Sequence, residues 1–213
     1  MPTAVNKIRI LPNLHTAIEN LVQQFEQIPS ERKSIIHQLT EFIQQGRNDK
    51  RPVYVNFICT HNSRRSHLAQ IWAQAAAYYY GIEGIECFSG GTEATAFNPR
   101  AVKAMKDEGF EISVLKEGEN PVYKVRFSEA APVLESYSKT YDDALNPSKN
   151  FAAIMTCSHA DQNCPLVVGA SKRVSLPYDD PKDFDGTPQE CEKYKASVQE
   201  IGREMLYAFS QVK

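Results

Sequence analysis

Cys59 and Arg65 bracket the segment Cys59-Thr60-His61-Asn62-Ser63-Arg64-Arg65-Ser66, a C-x5-R-S spacing. A loop of that length can wrap its backbone N–H groups around one tetrahedral oxyanion, and a helix that follows adds the positive end of its dipole. Arg65 then offers a planar fork to two of the anion's oxygens. The same donors stabilise the thiolate of Cys59, which is the nucleophilic form. Ser66 can donate its hydroxyl to that thiolate, and Thr60, His61, Asn62, Ser63, Arg64 and Ser66 are the candidate anion-binding residues around it. The competing reading is a buried cysteine at a strand end beside two solvated arginines. Displacement at Cys59 requires an acid for the departing oxygen. Asp180, in Tyr178-Asp179-Asp180-Pro181, is the candidate, because the proline biases it to an extended conformation that presents the carboxyl; the alternative is an ordinary Asp-Asp-Pro turn.

Cys157 and Cys164 form a second pair in Cys157-Ser158-His159-Ala160-Asp161-Gln162-Asn163-Cys164-Pro165. Their C-x6-C spacing is too wide for a zinc knuckle or a C-x-x-C redox pair. Three readings stay open. Both are small core residues; or Cys157 attacks an adduct on Cys59 and Cys164 then attacks the resulting disulfide, which requires the loop to rearrange because a helical turn between them exceeds disulfide reach; or they bind metal with His159 and Cys191.

The elements that must position these groups are legible from hydrophobic spacing. Residues 53–58 (VYVNFI) read as a strand, followed by the polar loop and a helix to about residue 80. Residues 85–89 read as a second strand with Gly90-Gly91 as a turn, and Asn98-Pro99 as the cap and first position of a helix ending at Gly109. Residues 151–156 and 173–176 give two more strands. Thr187-Pro188-Gln189-Glu190 reads as a capping box opening a last helix with Tyr194, Val198, Ile201, Met205 and Phe209 on one face. Strands alternating with helices argue an α/β fold, a doubly wound four-stranded parallel sheet with helices on both faces. Ahead of it, Leu14, Ile18, Leu21, Val22 and Phe25, then Ile35, Ile36, Leu39, Phe42 and Ile43, predict a helical hairpin. Ser30 is the expected cap of its second helix and residues 46–52 the linker. The expected division is therefore a hairpin extension, 1–50, and a catalytic unit, 51–213. Residues 114–150 carry only a possible strand at 123–127, with Tyr123, Tyr137 and Tyr141 as a possible wall for substrate.

With 24 basic and 26 acidic residues among 213, the chain has a net charge of −2 and no global basic field of the kind that drives nucleic-acid binding. No signal pattern or run of about 18 apolar residues is present, so the expectation is a soluble cytoplasmic protein with no membrane partner. In a reducing compartment five cysteines do not read as a disulfide framework. Cys87 and Cys191 read as packing residues.

Three segments carry a family resemblance: CTHNSRRS with its helix, GGTEATAFNPRAVKAMKDEGFEIS, and TCSHADQNCP followed by LPYDDP. Over residues 53–110 and 151 to about 186 the chain resembles the thioredoxin-coupled arsenate reductases, which share the fold of the low-molecular-weight tyrosine phosphatases. The resemblance implies Cys59 as nucleophile on arsenate, Arg65 and the loop amides as oxyanion binders, and Asp180 as acid. It implies that Cys157 releases arsenite by forming a disulfide with Cys59, and that Cys164 then leaves Cys157-Cys164 for thioredoxin, with no bound cofactor or metal. His61 stands where a glycine is common, and Gln70 replaces an acidic residue that some members use for potassium, so no potassium site is expected. The rivals are an aryl phosphatase working through a phosphocysteine, and a non-enzymatic oxyanion or partner-binding module. Beyond thioredoxin and a tetrahedral oxyanion, a homodimer through the N-terminal helices is the remaining partner expectation.

Overall fold

The run VYVNFIC is buried at all but one position, as befits the central strand of a parallel sheet covered on both faces. In the computed structural model, which describes residues 10–163 and 166–213, the elements run α1 (Pro12–Val22), α2 (Ser30–Asn48), β1 (Val53–Cys59), α3 (Arg65–Tyr79), β2 (Ile85–Gly91), α4 (Pro99–Asp107), β3 (Glu111–Lys116), β4 (Val122–Arg126), β5 (Leu134–Ser136), β6 (Phe151–Met155), α5 (Ser158–Asn163), β7 (Ala170–Ser175) and α6 (Glu190–Ser210). Cys164 and Pro165 lie outside the described residues.

The main sheet has the order β2-β1-β6-β7, with every pairing parallel. The chain leaves β1 for β2 on one side and later returns to β6 on the other. The carboxyl ends of β1 and β6 therefore flank the switch point at which open α/β sheets form their ligand crevice. Strand alternation divides the core in two. Val53, Val55, Phe57, Ala152 and Ile154 face α3, α6 and the N-terminal helices, while Phe151, Ala153 and Met155 pack with Cys157, Ala160 and Val167 on the other face.

The hairpin forms where its periodicity places it, with Leu14, Ile18, Leu21, Ile36, Leu39 and Ile43 buried in the same core as α6. Its boundaries differ from expectation. Ser30 is the first helical residue rather than the cap, because Pro29, in extended backbone, occupies the cap. The linker shortens to residues 49–52, since α2 continues through Gly46, where a β-carbon would meet Val53 Cγ2 at 2.3 Å. Asn98 does cap α4, its Oδ1 accepting from the N–H groups of Arg100 and Ala101. The expected capping box does not close: α6 begins only at Glu190, whose carboxylate accepts from Gly186 N–H, and Thr187 Oγ1 accepts from Gln189 N–H. Gly90 and Gly91 are the last residues of β2 rather than a turn. Residues 111–136 hold a second sheet, antiparallel in the order β3-β4-β5, of which only β4 matches an expected strand. Cys87 is buried as expected, but Cys191 is exposed on α6 and does not pack.

Arg32 of α2 reaches across to the far end of the chain. Its Nε and Nη2 donate to the two carboxylate oxygens of Glu204 at 2.9 and 2.6 Å, and its Nη1 donates to Pro177 O at 2.9 Å. The guanidinium also lies 4.9 Å from the centroid of the Tyr178 ring. One side chain of the hairpin thus braces the segment that leads into Asp180.

Glu204 keeps only 3% side-chain exposure, so removing its partner strands a buried charge. Arg32→Ala is expected to destabilise the fold by about 3–5 kcal/mol in urea denaturation, whereas an Arg32→Met, Glu204→Leu double variant loses much less.

Candidate active site

The loop after β1 is held by its carbonyls. Cys59 O and Thr60 O accept from the N–H groups of Thr92 and Glu93 at 3.1 and 2.8 Å, and Ser63 O accepts from Asn98 N–H at 2.9 Å. His61 O accepts from the hydroxyls of Ser138 and Thr95 at 2.9 and 3.1 Å. Arg64 O takes the first bond of α3, from Leu68 N–H. With the carbonyls drawn outward, the backbone N–H groups of residues 61–65 have no acceptor among the described residues. This leaves a row of donors at the start of a fifteen-residue helix, where the dipole favours negative charge.

Two local features allow this backbone path. Asn62 adopts a left-handed conformation at φ 43°, which asparagine tolerates better than most residues. Its amide is pinned at both ends, with Nδ2 donating to Ser66 Oγ at 2.9 Å and Oδ1 accepting from Lys139 N–H at 2.9 Å. At Gly91 a β-carbon would lie 2.6 Å from Thr60 O and 2.7 Å from Asn62 N, so only glycine lets β2 pass this close beneath the loop.

Cys59 is buried, and its Sγ lies 3.1 Å from Ser66 Oγ. Because Asn62 Nδ2 already donates to that oxygen, the Ser66 hydroxyl proton is free to point at sulfur. Behind it, His67 is fully buried and stacked on Phe97 at 4.1 Å between ring centroids. Burial, with the nearby Lys139 ammonium, holds the His67 imidazole well below its ordinary value and hence neutral.

Asp180 meets both arginines. Arg64 Nε donates to its Oδ1 at 2.8 Å and Arg65 Nη2 to its Oδ2 at 2.8 Å, while Arg65 Nη1 donates to Tyr178 O. Arg65 Nε is buried and has no acceptor among the described residues. Burial alone would push the Asp180 carboxyl up, but Arg65 and Arg64 outweigh it and hold the carboxyl below its ordinary value. In this state Asp180 is a carboxylate. Arg64 is turned to Asp180, with only 9% of its side chain exposed, and is neither solvated nor free in the loop.

Cys157, two residues past the neighbouring strand β6, is likewise buried. Its Sγ lies 3.4 Å from Thr60 Oγ1 and accepts from Ala160 N–H at 3.3 Å. Cys59, Thr60, Arg65, Asp180 and Cys157 therefore converge on the carboxyl ends of β1 and β6. Cys164 is outside the described residues. His61 is half exposed, with Nε2 3.9 Å from Glu93 Oε2. Gln70 Nε2 donates to Cys87 O at 3.0 Å, and among the described residues no group of three or more His, Cys, Asp or Glu could hold a metal ion.

Sequence reasoning missed how residues 111–150 serve the loop. Tyr123 packs edge-on against Phe97, and Tyr137 lines a separate cavity of about 750 Å³ with Gln70, Leu134 and Lys139. The segment reaches the loop through Ser138 and Lys139, from behind. No hydrophobic period marks either residue.

Two predictions follow from this geometry. Asn62→Ala removes the donor to Ser66 Oγ and leaves Lys139 N–H without its acceptor at a strained φ, and is expected to cost about 1–3 kcal/mol. Asn62→Gly relieves the backbone strain alone, so thermal denaturation should place it between Asn62→Ala and the parent. For Asp180 the folded carboxyl titrates below its unfolded value of about 3.9. Its stabilising contribution is complete above that value and is lost as pH falls through the lower folded one. The stability difference between the parent and Asp180→Asn should shrink as urea denaturation is repeated from about pH 5 to about pH 3.

Residues 54–129 match the family model described as low molecular weight phosphotyrosine protein phosphatase. The chain is 33% identical over 142 residues to an arsenate reductase of Halalkalibacterium halodurans, covering 67% of this chain and 82% of that one. It is 32% identical over 136 residues to an arsenate reductase of Bacillus subtilis, covering 64% and 79%. A solved low molecular weight phosphotyrosine phosphatase from Vibrio cholerae O395 superposes with a TM-score of 0.49 at 14% identity, over 74% of this chain and 94% of that one. Among the described residues no helix is long and apolar enough to cross a membrane. On the strength of the sequence relatives, the chain belongs to the enzyme family of the arsenate reductases and low-molecular-weight phosphotyrosine phosphatases.

Proposed function

We propose that this chain is an arsenate reductase in which Cys59 attacks arsenate held by the amides of residues 61–65 and by Arg65. The observation that carries this reading is the loop itself. The carbonyls of Cys59, Thr60, His61, Ser63 and Arg64 are bound, and among the described residues neither the N–H groups of residues 61–65 nor the buried Nε of Arg65 have an acceptor. A tetrahedral oxyanion supplies the missing acceptors. On binding, Arg65 turns part of its fork from Asp180 to the anion. The anion's charge and the weakened pairing with Arg65 then favour protonation of Asp180, which delivers that proton to the departing oxygen.

Cys157, linked to the loop through Thr60, takes the second step. Its attack on Cys59 forms a disulfide and releases arsenite, and Cys164 displaces Cys59 to leave Cys157-Cys164 for reduction by thioredoxin. The arsenate reductases among the relatives support arsenate as the substrate of this scheme. No bound cofactor is needed, because the cysteines carry the electrons and thioredoxin resupplies them. A reducing cytoplasm suits this chemistry. Residues 51–213 hold the reacting groups, and residues 1–50 act as an extension that braces the acid segment through Arg32. The apolar faces of the two N-terminal helices are already covered by α6, so a homodimer through them is not required to bury them.

The second reading is hydrolysis of an aryl phosphate through a phosphocysteine on Cys59. The family model favours it, and the loop accepts phosphate and arsenate alike. The two separate on the second cysteine pair. On one preparation, Cys164→Ser should abolish multiple-turnover arsenate reduction with thioredoxin yet spare p-nitrophenyl phosphate hydrolysis, and Cys59→Ser should abolish both. Unchanged reduction by Cys164→Ser would overturn the relay through Cys164, and a parent chain that hydrolyses p-nitrophenyl phosphate but yields no arsenite would leave only the phosphatase reading.

A further inference from the structure

Cys157 must become a thiolate to attack, yet it is 1% exposed and no solvent base reaches it. Its Sγ lies 3.4 Å from Thr60 Oγ1, and the same Oγ1 lies 3.2 Å from Nδ1 of His159. A threonine hydroxyl has one proton to give and two lone pairs to accept with. Both contacts are satisfied together when Cys157 S–H donates to Thr60 and Thr60 O–H donates to an unprotonated His159 Nδ1. Thr60 is itself buried, whereas His159 is exposed on the first turn of α5, so the chain of bonds runs from a buried thiol to solvent.

We propose that His159 is the proton acceptor for Cys157, acting through Thr60. This rests on the reading of Cys157 as the second nucleophile. The Cys157 proton passes to Thr60 Oγ1 as Thr60 passes its own to His159 Nδ1, leaving a thiolate and an imidazolium. The thiolate is held by Ala160 N–H, which already points at the sulfur from 3.3 Å. Its electron pair forms the S–S bond to Cys59 as the Cys59–arsenic bond breaks. The pair of the broken bond stays on arsenic, which goes from the +5 to the +3 state while two cysteines are oxidised to one disulfide. The imidazolium returns its proton to water. His159 touches neither arsenic nor Cys59 in this scheme, so its loss should leave the first step intact.

The test isolates the thiol step from arsenate. In full-length Cys164→Ser, Cys191→Ser protein, Cys59 is converted to its 2-thiopyridyl mixed disulfide, and release of 2-thiopyridone on attack by Cys157 is followed by stopped flow. Adding His159→Ala is expected to slow that release by about 10²-fold, the lower end for general-base catalysis, and free imidazole in the buffer should restore part of the rate. Hydrolysis of p-nitrophenyl phosphate should be unchanged by His159→Ala, and a structural defect would not be rescued by imidazole. Release at the parent rate, or a slowed release that imidazole does not improve, overturns the proposal. If His159 governs the thiol step but the otherwise unmodified chain yields no arsenite from arsenate, the reductase reading falls and the proton path stands.

Discussion

The site depends on one backbone constraint: the loop between β1 and α3 has its carbonyls bound from outside. Six donors, Thr92, Glu93, the hydroxyls of Ser138 and Thr95, Asn98 and Leu68 in the first turn of α3, hold the carbonyls of Cys59, Thr60, His61, Ser63 and Arg64. The N–H groups are left together, and an unpaired buried donor is costly, so the loop is a site in want of an acceptor. Gly91 permits the attachments by letting β2 run under the loop, and Asn62 permits the turn by accepting a left-handed backbone.

From that loop the rest of the architecture acquires its purpose. The β2-β1-β6-β7 order opens a crevice between β1 and β6, which is why a thiol at the end of one and a thiol just past the other lie on the same rim. The acid segment arrives from β7 and is secured twice, by Arg64 and Arg65 in front and by Arg32 behind. The N-terminal helices are thus part of the site's support, since the guanidinium that holds Pro177 also pairs with a buried glutamate of the last helix. The antiparallel sheet contributes through the segment after it, whose Ser138 and Lys139 hold His61 and Asn62.

Much of this was legible in the sequence, and the exceptions have physical reasons. β1 and β6 are short apolar runs ended by polar loops, and buried parallel strands leave that signature. α6 shows its buried stripe at helical spacing. The sheet of β3 and β5 left no such trace, because β3 buries only Ile112 of its six residues and β5 is three residues long. The helix boundary at Gly46 was misread because glycine commonly ends helices, whereas here it admits Val53. Within the site, Cys59, Arg65 and Asp180 could be nominated from the residues and their spacing, whereas for Cys157 spacing left core, redox and metal readings open and only the family resemblance gave it a role. That Arg64 also pairs with Asp180 could not, because the pairing joins residues 116 apart in sequence.

The central claim is that the amides of residues 61–65 form one anion cradle with Arg65. The most direct measurement is a titration of the ¹⁵N-labelled chain with inorganic phosphate, followed by amide NMR. The account predicts that the amide resonances of these residues move together and saturate at a single affinity, and that Arg65→Ala weakens that affinity while Arg47→Ala, at the end of α2, does not. Loop amides that stay still while phosphate binds elsewhere, or that do not respond at all, would contradict it.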